Sequence, residues 1–149
     1  MPGYKAHTFG SIIIAILALG ACNVFYQVTA FKAFEWIGFA IIGGLFPDLD
    51  TKSFGQKWFY RILFLVAIVL FSLRQHHLLS VIALIGFVPL LFRHRGIFHS
   101  PWFLSAIALG GTFACAYYFP EHQTQVFIDG AFFWLGCMIH LFMDRFFKG

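Results

Sequence analysis

Long apolar runs, broken only by short polar islands, constrain this chain more than any other feature of its sequence. Six can be drawn: about Phe9 to Val28, Phe34 to Phe46, Trp58 to Leu73, Leu78 to Phe92, Trp102 to Phe119 and Val126 to Phe147. In hydrocarbon every backbone N–H and C=O must be satisfied within the protein, so runs of this length read as helices. Barrel strands would alternate in polarity over about ten residues, and these runs do not alternate. The second run is short for a full crossing and is stopped by Pro47, which disfavours helix at the residue before it. Hydrophobic residues make up 60% of the chain and charged ones 11%, against roughly a quarter charged in soluble domains. The expected fold is an all-α integral membrane protein: a compact bundle of about six transmembrane helices, forming one membrane-embedded domain over residues 1–149.

Several functional classes fall away. The net charge of +4 could suggest nucleic acid, but ten Lys and Arg scattered among apolar runs make no basic domain, and no nucleic-acid partner is expected. Cys22, Cys115 and Cys137 lie inside apolar runs, are odd in number and form no C-x-x-C; they are expected to be small buried apolar residues. Lys5 followed by Ile12 to Leu19 fits a secretory signal as well as a first transmembrane helix, and Leu19-Gly20-Ala21-Cys22 fits a lipoprotein cleavage box. The helix is the preferred reading; cleavage before Cys22 would remove His7.

If each run crosses the membrane, the start of the first, the second–third loop, the fourth–fifth loop and the end of the sixth share one face. That face receives Lys5, Lys52, Lys57, Arg61, Arg93, Arg95, Arg145 and Lys148, and the other only Lys32 and Arg74. The positive-inside rule makes the basic face cytoplasmic, with both termini inside. The same alternation brings His7, Asp48, Asp50, His94, His99, His140 and Asp144 to that face, leaving Glu121, Asp129 and Glu35, which with Lys32 is expected in the short connection between the first two runs, on the other.

These seven residues suit a metal. His140 and Asp144 are one helical turn apart, a spacing that lets two side chains hold one ion; Asp144 could instead pair with Arg145 or Lys148. Because His140 lies inside an apolar run, a functional reading is favoured. Asp48-Leu49-Asp50 follows a helix-ending proline and offers two carboxylates, which serve equally well as ligands or as turn caps. His94 and His99 flank Gly96, which lets the chain turn so that both imidazoles converge. Ser100 and Pro101 form a helix start, with Ser as N-cap and Pro at the first helical position. One tetrahedral zinc needs three or four ligands. Seven candidates suit either two ions bridged by a carboxylate or one ion with supporting groups behind its ligands.

His7-Thr8-Phe9-Gly10-Ser11, Leu45-Phe46-Pro47-Asp48-Leu49-Asp50, His94-Arg95-Gly96-Ile97-Phe98-His99-Ser100 and His140-Leu141-Phe142-Met143-Asp144 resemble, in this order, motifs of the YdjM-like bacterial inner-membrane proteins, a family to which metal-dependent hydrolysis is ascribed. The H-R-G-x-x-H-S element is the most specific of them. The family usually has Thr where this chain has Phe98, which leaves the histidines in place and removes a hydroxyl. The resemblance implies an α-helical inner-membrane protein with a metal site.

The resulting expectation is a metal-dependent hydrolase at the cytoplasmic membrane face. One or two divalent ions, zinc first and manganese or iron as alternatives, would be held by the seven residues, with Asp48, Asp50 and His99 as the candidate catalytic groups. Membrane lipids are the expected partners and a lipid or other anionic phosphoester the candidate substrate, with Arg93, Arg95, Lys52, Lys57 and Arg61 either binding its phosphate or anchoring the interface. The alternative is a membrane metal-binding protein or metal transporter without hydrolase activity.

Overall fold

The computed structural model describes residues 3–25, 27–50, 53–91 and 96–146, with the side chains of all but Asp50 and Val88. It is all helical over these residues. Six α-helices, α1 (Tyr4–Cys22), α2 (Ala30–Leu45), α3 (Phe54–Ser72), α4 (His76–Phe87), α5 (Pro101–Tyr118) and α6 (Gln123–Phe146), are accompanied by short 3-10 turns at Phe46–Asp50, Val88–Leu91, Ile97–His99 and Pro120–His122. Their outward faces are apolar: Phe9, Ile13 and Leu17 on α1, Ile62, Phe64 and Leu65 on α3, and Leu109 and Phe113 on α5 are all exposed. A surface of that kind belongs in lipid.

Among the described residues four segments are long and apolar enough to cross a membrane: Tyr4–Cys22, Ala30–Leu49, Phe54–Ser72 and Pro120–Phe146. Six helices are present, as expected, and four of them meet that length and apolarity. At 12 residues, α4 covers roughly 18 Å, short of a hydrocarbon core of about 30 Å. Lys32 and Glu35, expected in a connection, lie inside α2 instead. Thr29 caps that helix earlier than the apolar run begins, accepting from the Lys32 N–H at 3.4 Å.

Local chemistry explains the other boundaries. Ser53 N-caps α3 by accepting from the Gln56 N–H at 3.0 Å. Arg74 takes a left-handed φ of 55°, and the N–H groups of Arg74 and Gln75 close back on the carbonyls of Phe71 and Leu70, a Schellman ending without glycine. That tight closure lets α4 begin at His76, so His76 and His77 form its first turn. Ser100 and Pro101 start α5 as expected, although the Ser100 hydroxyl makes no capping bond.

The chain divides into two compact units, Met1–Pro47 with His99–Gly149, and Asp48–Phe98. In the first, α2 packs on both α1 and α6, and α5 lies along α6. Its core is Ala15, Trp36, Ala40 and Phe132, with the Trp36 and Phe132 rings stacked at 5.2 Å. Small residues set the helix separations. A Cβ on Gly43 would collide with the Phe133 carbonyl, and one on Gly136 with the Ala40 carbonyl, so α2 and α6 touch backbone to backbone. Gly44 admits Ser11 of α1 in the same way. In the second unit α3 and α4 form a hairpin: the Tyr60 hydroxyl donates to the Gly86 carbonyl at 2.8 Å, and Gly86 makes room for Leu63. Of the cysteines only Cys137 is buried as expected. Cys22 is half-buried and Cys115 faces outward from α5, where a thiol in lipid costs little.

Replacing Gly43 or Gly136 by Ala is expected to lower stability by about 1–3 kcal/mol, the usual cost of overpacking. Gly38→Ala, whose new Cβ meets nothing within 4 Å, should be neutral or stabilising by about 0.5–1 kcal/mol. Thermal unfolding of the detergent-solubilised variants checks both signs.

Candidate metal centre

Four of the seven residues singled out by sequence meet at one end of the first unit. His7 sits in the first turn of α1, His99 just before α5, and His140 and Asp144 in the last two turns of α6. His7 is 2% exposed, His140 fully buried and Asp144 8% exposed. The three imidazoles surround one carboxylate. His7 Nε2 lies 3.3 Å from Asp144 Oδ1, while His99 Nε2 and His140 Nε2 lie 3.5 and 3.9 Å from Oδ2. The His7 and His140 rings stack at 3.9 Å, and the His99 ring stands edge-on to His140 at 5.6 Å.

A backbone group orients the central histidine. His140 Nδ1 donates to the Gly44 carbonyl at 2.7 Å, which fixes the proton on Nδ1 because a carbonyl can only accept. Neutral His140 therefore turns a lone pair at Nε2 toward the Asp144 carboxylate. The origin of this contact is local to α2. Helices end with carbonyls that lack an intrahelical donor, and Pro47 has no N–H to give the Gly44 carbonyl an i→i−3 bond. The Phe46 N–H closes on Gly43 instead. The Ser11 hydroxyl, which fills the space beside Gly44, returns to the His7 carbonyl at 2.8 Å and braces the other ring.

The electrostatics call for a cation. With its proton on Nδ1, His140 turns an acceptor at Nε2 toward the Asp144 carboxylate where little water reaches, an arrangement that is costly unless a proton or metal lies between them. Asp144 Oδ1 is buried and has no hydrogen-bond partner among the described residues, although His7 Nε2 is 3.3 Å away. His7 Nδ1 likewise finds no partner among the described residues. The spacing suits a small ion: metal bonds of about 2.0–2.2 Å at tetrahedral angles put neighbouring ligand atoms roughly 3.3–3.6 Å apart. One ligand atom from each of His7, His140 and Asp144 can be chosen so that all lie within 4.8 Å of one another. The donor set fits, and a hydrogen bond to the far nitrogen of a ligating histidine is the usual support.

The chain matches the family described as YdjM inner membrane protein over residues 3–149. It belongs to that family. Comparison with curated protein sequences and with solved structures gives no match. In this YdjM-family chain, the motif residues His7, His99, His140 and Asp144 converge. Asp48 lies on the 3-10 turn Phe46–Asp50, at the start of the second unit, where its carbonyl accepts from the Ser53 hydroxyl at 2.8 Å. His94 and the Asp50 side chain fall outside the described residues. Phe98, where the family usually has Thr, is 1% exposed. Of the basic residues, Arg61 lies over the Trp58 ring at 5.5 Å, an anchoring contact within α3.

Sequence reasoning missed the Gly44 carbonyl, since a backbone acceptor has no residue type to notice. A proline three residues after a glycine at a helix end was the available sign. His7 and Asp144 are expected to be energetically coupled. In a double-mutant cycle with alanine, measured by unfolding in detergent, the coupling should be about 0.5–3 kcal/mol. Additive losses would show that the two do not share a site.

Proposed function

We propose that this chain is a metal-dependent hydrolase whose divalent ion, zinc first and manganese or iron next, is held by His7, His140 and Asp144 with His99 beside them. The observation that carries the reading is the convergence of three imidazole nitrogens on the Asp144 carboxylate, with His140 oriented by the Gly44 carbonyl. Two histidines and one aspartate leave a fourth position of a tetrahedral ion open, the pattern of catalytic rather than structural zinc. When bound, such an ion would make water acidic enough to attack near neutral pH and would polarise the bond to be cut. Asp144 would stand between the ligand histidines and His99. His99, at 3.5 Å from Oδ2, is the side chain that would take the proton of the attacking water and return it to the leaving group.

The location supports a lipid phosphoester as substrate. If six spans alternate, eight of the ten Lys and Arg fall on the face that carries the histidines, and the positive-inside rule then supports a cytoplasmic face. An anionic head group would meet those charges, while the apolar outer faces of the helices sit in the leaflet that supplies it.

Metal transport without hydrolysis is the other reading of such a site. Transport sites lie near the bilayer midplane on interrupted helices. Here the four groups lie in the first turn of α1, just before α5 and in the last two turns of α6, and Gly43 and Gly44 have a packing role against Phe133 and Ser11.

Metal analysis of the purified protein should find about one ion per chain. The ion should be lost in His140→Ala and Asp144→Ala at unchanged helical content. Turnover of a panel of lipid phosphoesters should need metal and His99. Full metal content in both variants would refute the site. Metal bound without any metal-dependent turnover would leave a binding protein in place of an enzyme.

A further inference from the structure

Helices α5 and α6 of the first unit pack along one seam, and three contacts mark its length. At one end His99, just before α5, lies 3.5 Å from Asp144 of α6. Further in, Trp134 Nε1 donates to the Ser105 hydroxyl at 2.9 Å. Beyond that, the Phe113 and Phe127 rings meet edge to face at 5.5 Å. Between the last two contacts the seam opens into a groove of about 360 Å³, formed wholly by the first unit. Its floor is made of small residues, Ala108 and Thr112 of α5 and Gly130 of α6, whose missing Cβ admits the Thr112 side chain. Leu109, Phe127 and Trp134 form its rims, and all three are exposed. The Trp134 N–H is already engaged by Ser105, so what the groove offers an occupant is mainly apolar wall.

Width and depth decide the occupant. From Ser105 to Thr112, and from Phe127 to Trp134, the groove runs about 10 Å along the helices. Its volume over that length gives a width of roughly 6–7 Å, too narrow for a helix of about 10–12 Å diameter. A helix of a second copy therefore does not fit, whereas an unbranched hydrocarbon chain does. Trp134 precedes His140 by six residues and Phe127 by thirteen, so the groove lies roughly 9–20 Å from the histidine cluster along α6. The acyl chains of a lipid whose head group lies level with that cluster run to the bilayer mid-plane, about 15 Å from the edge of the hydrocarbon core. The groove stands where the distal half of such a chain passes. Protein walls attract a chain little more than other lipids do, so retention needs a tether, and a head group held at the cluster supplies one.

We propose that this groove holds the distal half of an acyl chain whose phosphoester head group lies at the histidine cluster. The proposal rests on the hydrolase reading for its substrate class and narrows that class to a long-chain lipid, in place of a soluble phosphoester. His99 belongs to the cluster and stands at the start of α5, so the seam that carries the chain leads to the side chain assigned the proton. A short chain ends before Trp134 and Ser105 and gains nothing from the groove.

Photolabelling of the purified full-length protein in phosphatidylcholine nanodiscs tests it, with dipalmitoyl phosphatidic acid carrying a diazirine at the end of one acyl chain. Label should concentrate on residues 105–112 and 127–134, about tenfold above the exposed α3 face of Ile62, Phe64 and Leu65. A diazirine placed beside the ester should label outside the groove. Ala131→Phe, which fills the groove from its wall, should cut groove labelling about tenfold at wild-type metal content. Ala106→Phe, the same change at an exposed α5 position off the groove, should leave it intact. Even labelling of all apolar faces, undiminished labelling in Ala131→Phe, or equal groove labelling by phosphatidylcholine carrying the same diazirine would overturn the proposal. Concentrated groove labelling without metal-dependent turnover would uphold the groove and reject the hydrolase reading, and turnover with even labelling would do the reverse. The two diazirine positions and the two head groups are compared on the wild-type protein, so no variant has to fold.

Discussion

The 2.7 Å contact between His140 Nδ1 and the Gly44 carbonyl ties the packing of the first unit to its candidate chemistry. It exists only because α2 and α6 approach backbone to backbone, and they do so because Gly43 and Gly136 carry no side chain. Pro47 ends the helix without supplying an N–H to that carbonyl. One short stretch of α2, Gly43 to Pro47, thus sets a helix separation, leaves an acceptor and aims an imidazole. In hydrocarbon, where apolar burial gives helices little reason to associate, this close packing carries much of the assembly.

The remaining polar residues of the unit follow from the same constraint. An ionisable group in an apolar helix has to find partners from other helices. At one end three histidines meet one carboxylate, and the buried Oδ1 of Asp144 has no hydrogen bond among the described residues. At the other end a single amide, Gln125, serves the carboxylates of Glu35 and Asp129.

Much of this was legible in the sequence. Unbroken apolar runs specified helices, and the i, i+4 pair His140 and Asp144 specified a shared face. Counting spans placed His7 and His99 on the same side as that pair. Within the first unit the contacts of His7 and His99 with Asp144 bring all four residues to one end, independently of the number of crossings. Ser100-Pro101 as a helix start and Ser53 as a cap were likewise readable, being local side-chain chemistry. What depends on distant backbone was not. The Gly44 carbonyl has no side-chain signature, and Glu35 and Gln125 lie 90 residues apart in sequence. Glu35 read as a loop residue because a charge seldom enters a span without a partner, and its partner was out of sight. The apolar pattern also could not tell a buried cysteine from an outward one, so Cys115 was misjudged.

X-ray absorption at the edge of the bound metal reports the ligand shell itself. The account predicts nitrogen and oxygen neighbours only, at about 2.0–2.2 Å, with imidazole scattering that falls in His7→Ala and in His140→Ala. A sulfur shell at about 2.3 Å, or a shell of oxygen without imidazole, would contradict it.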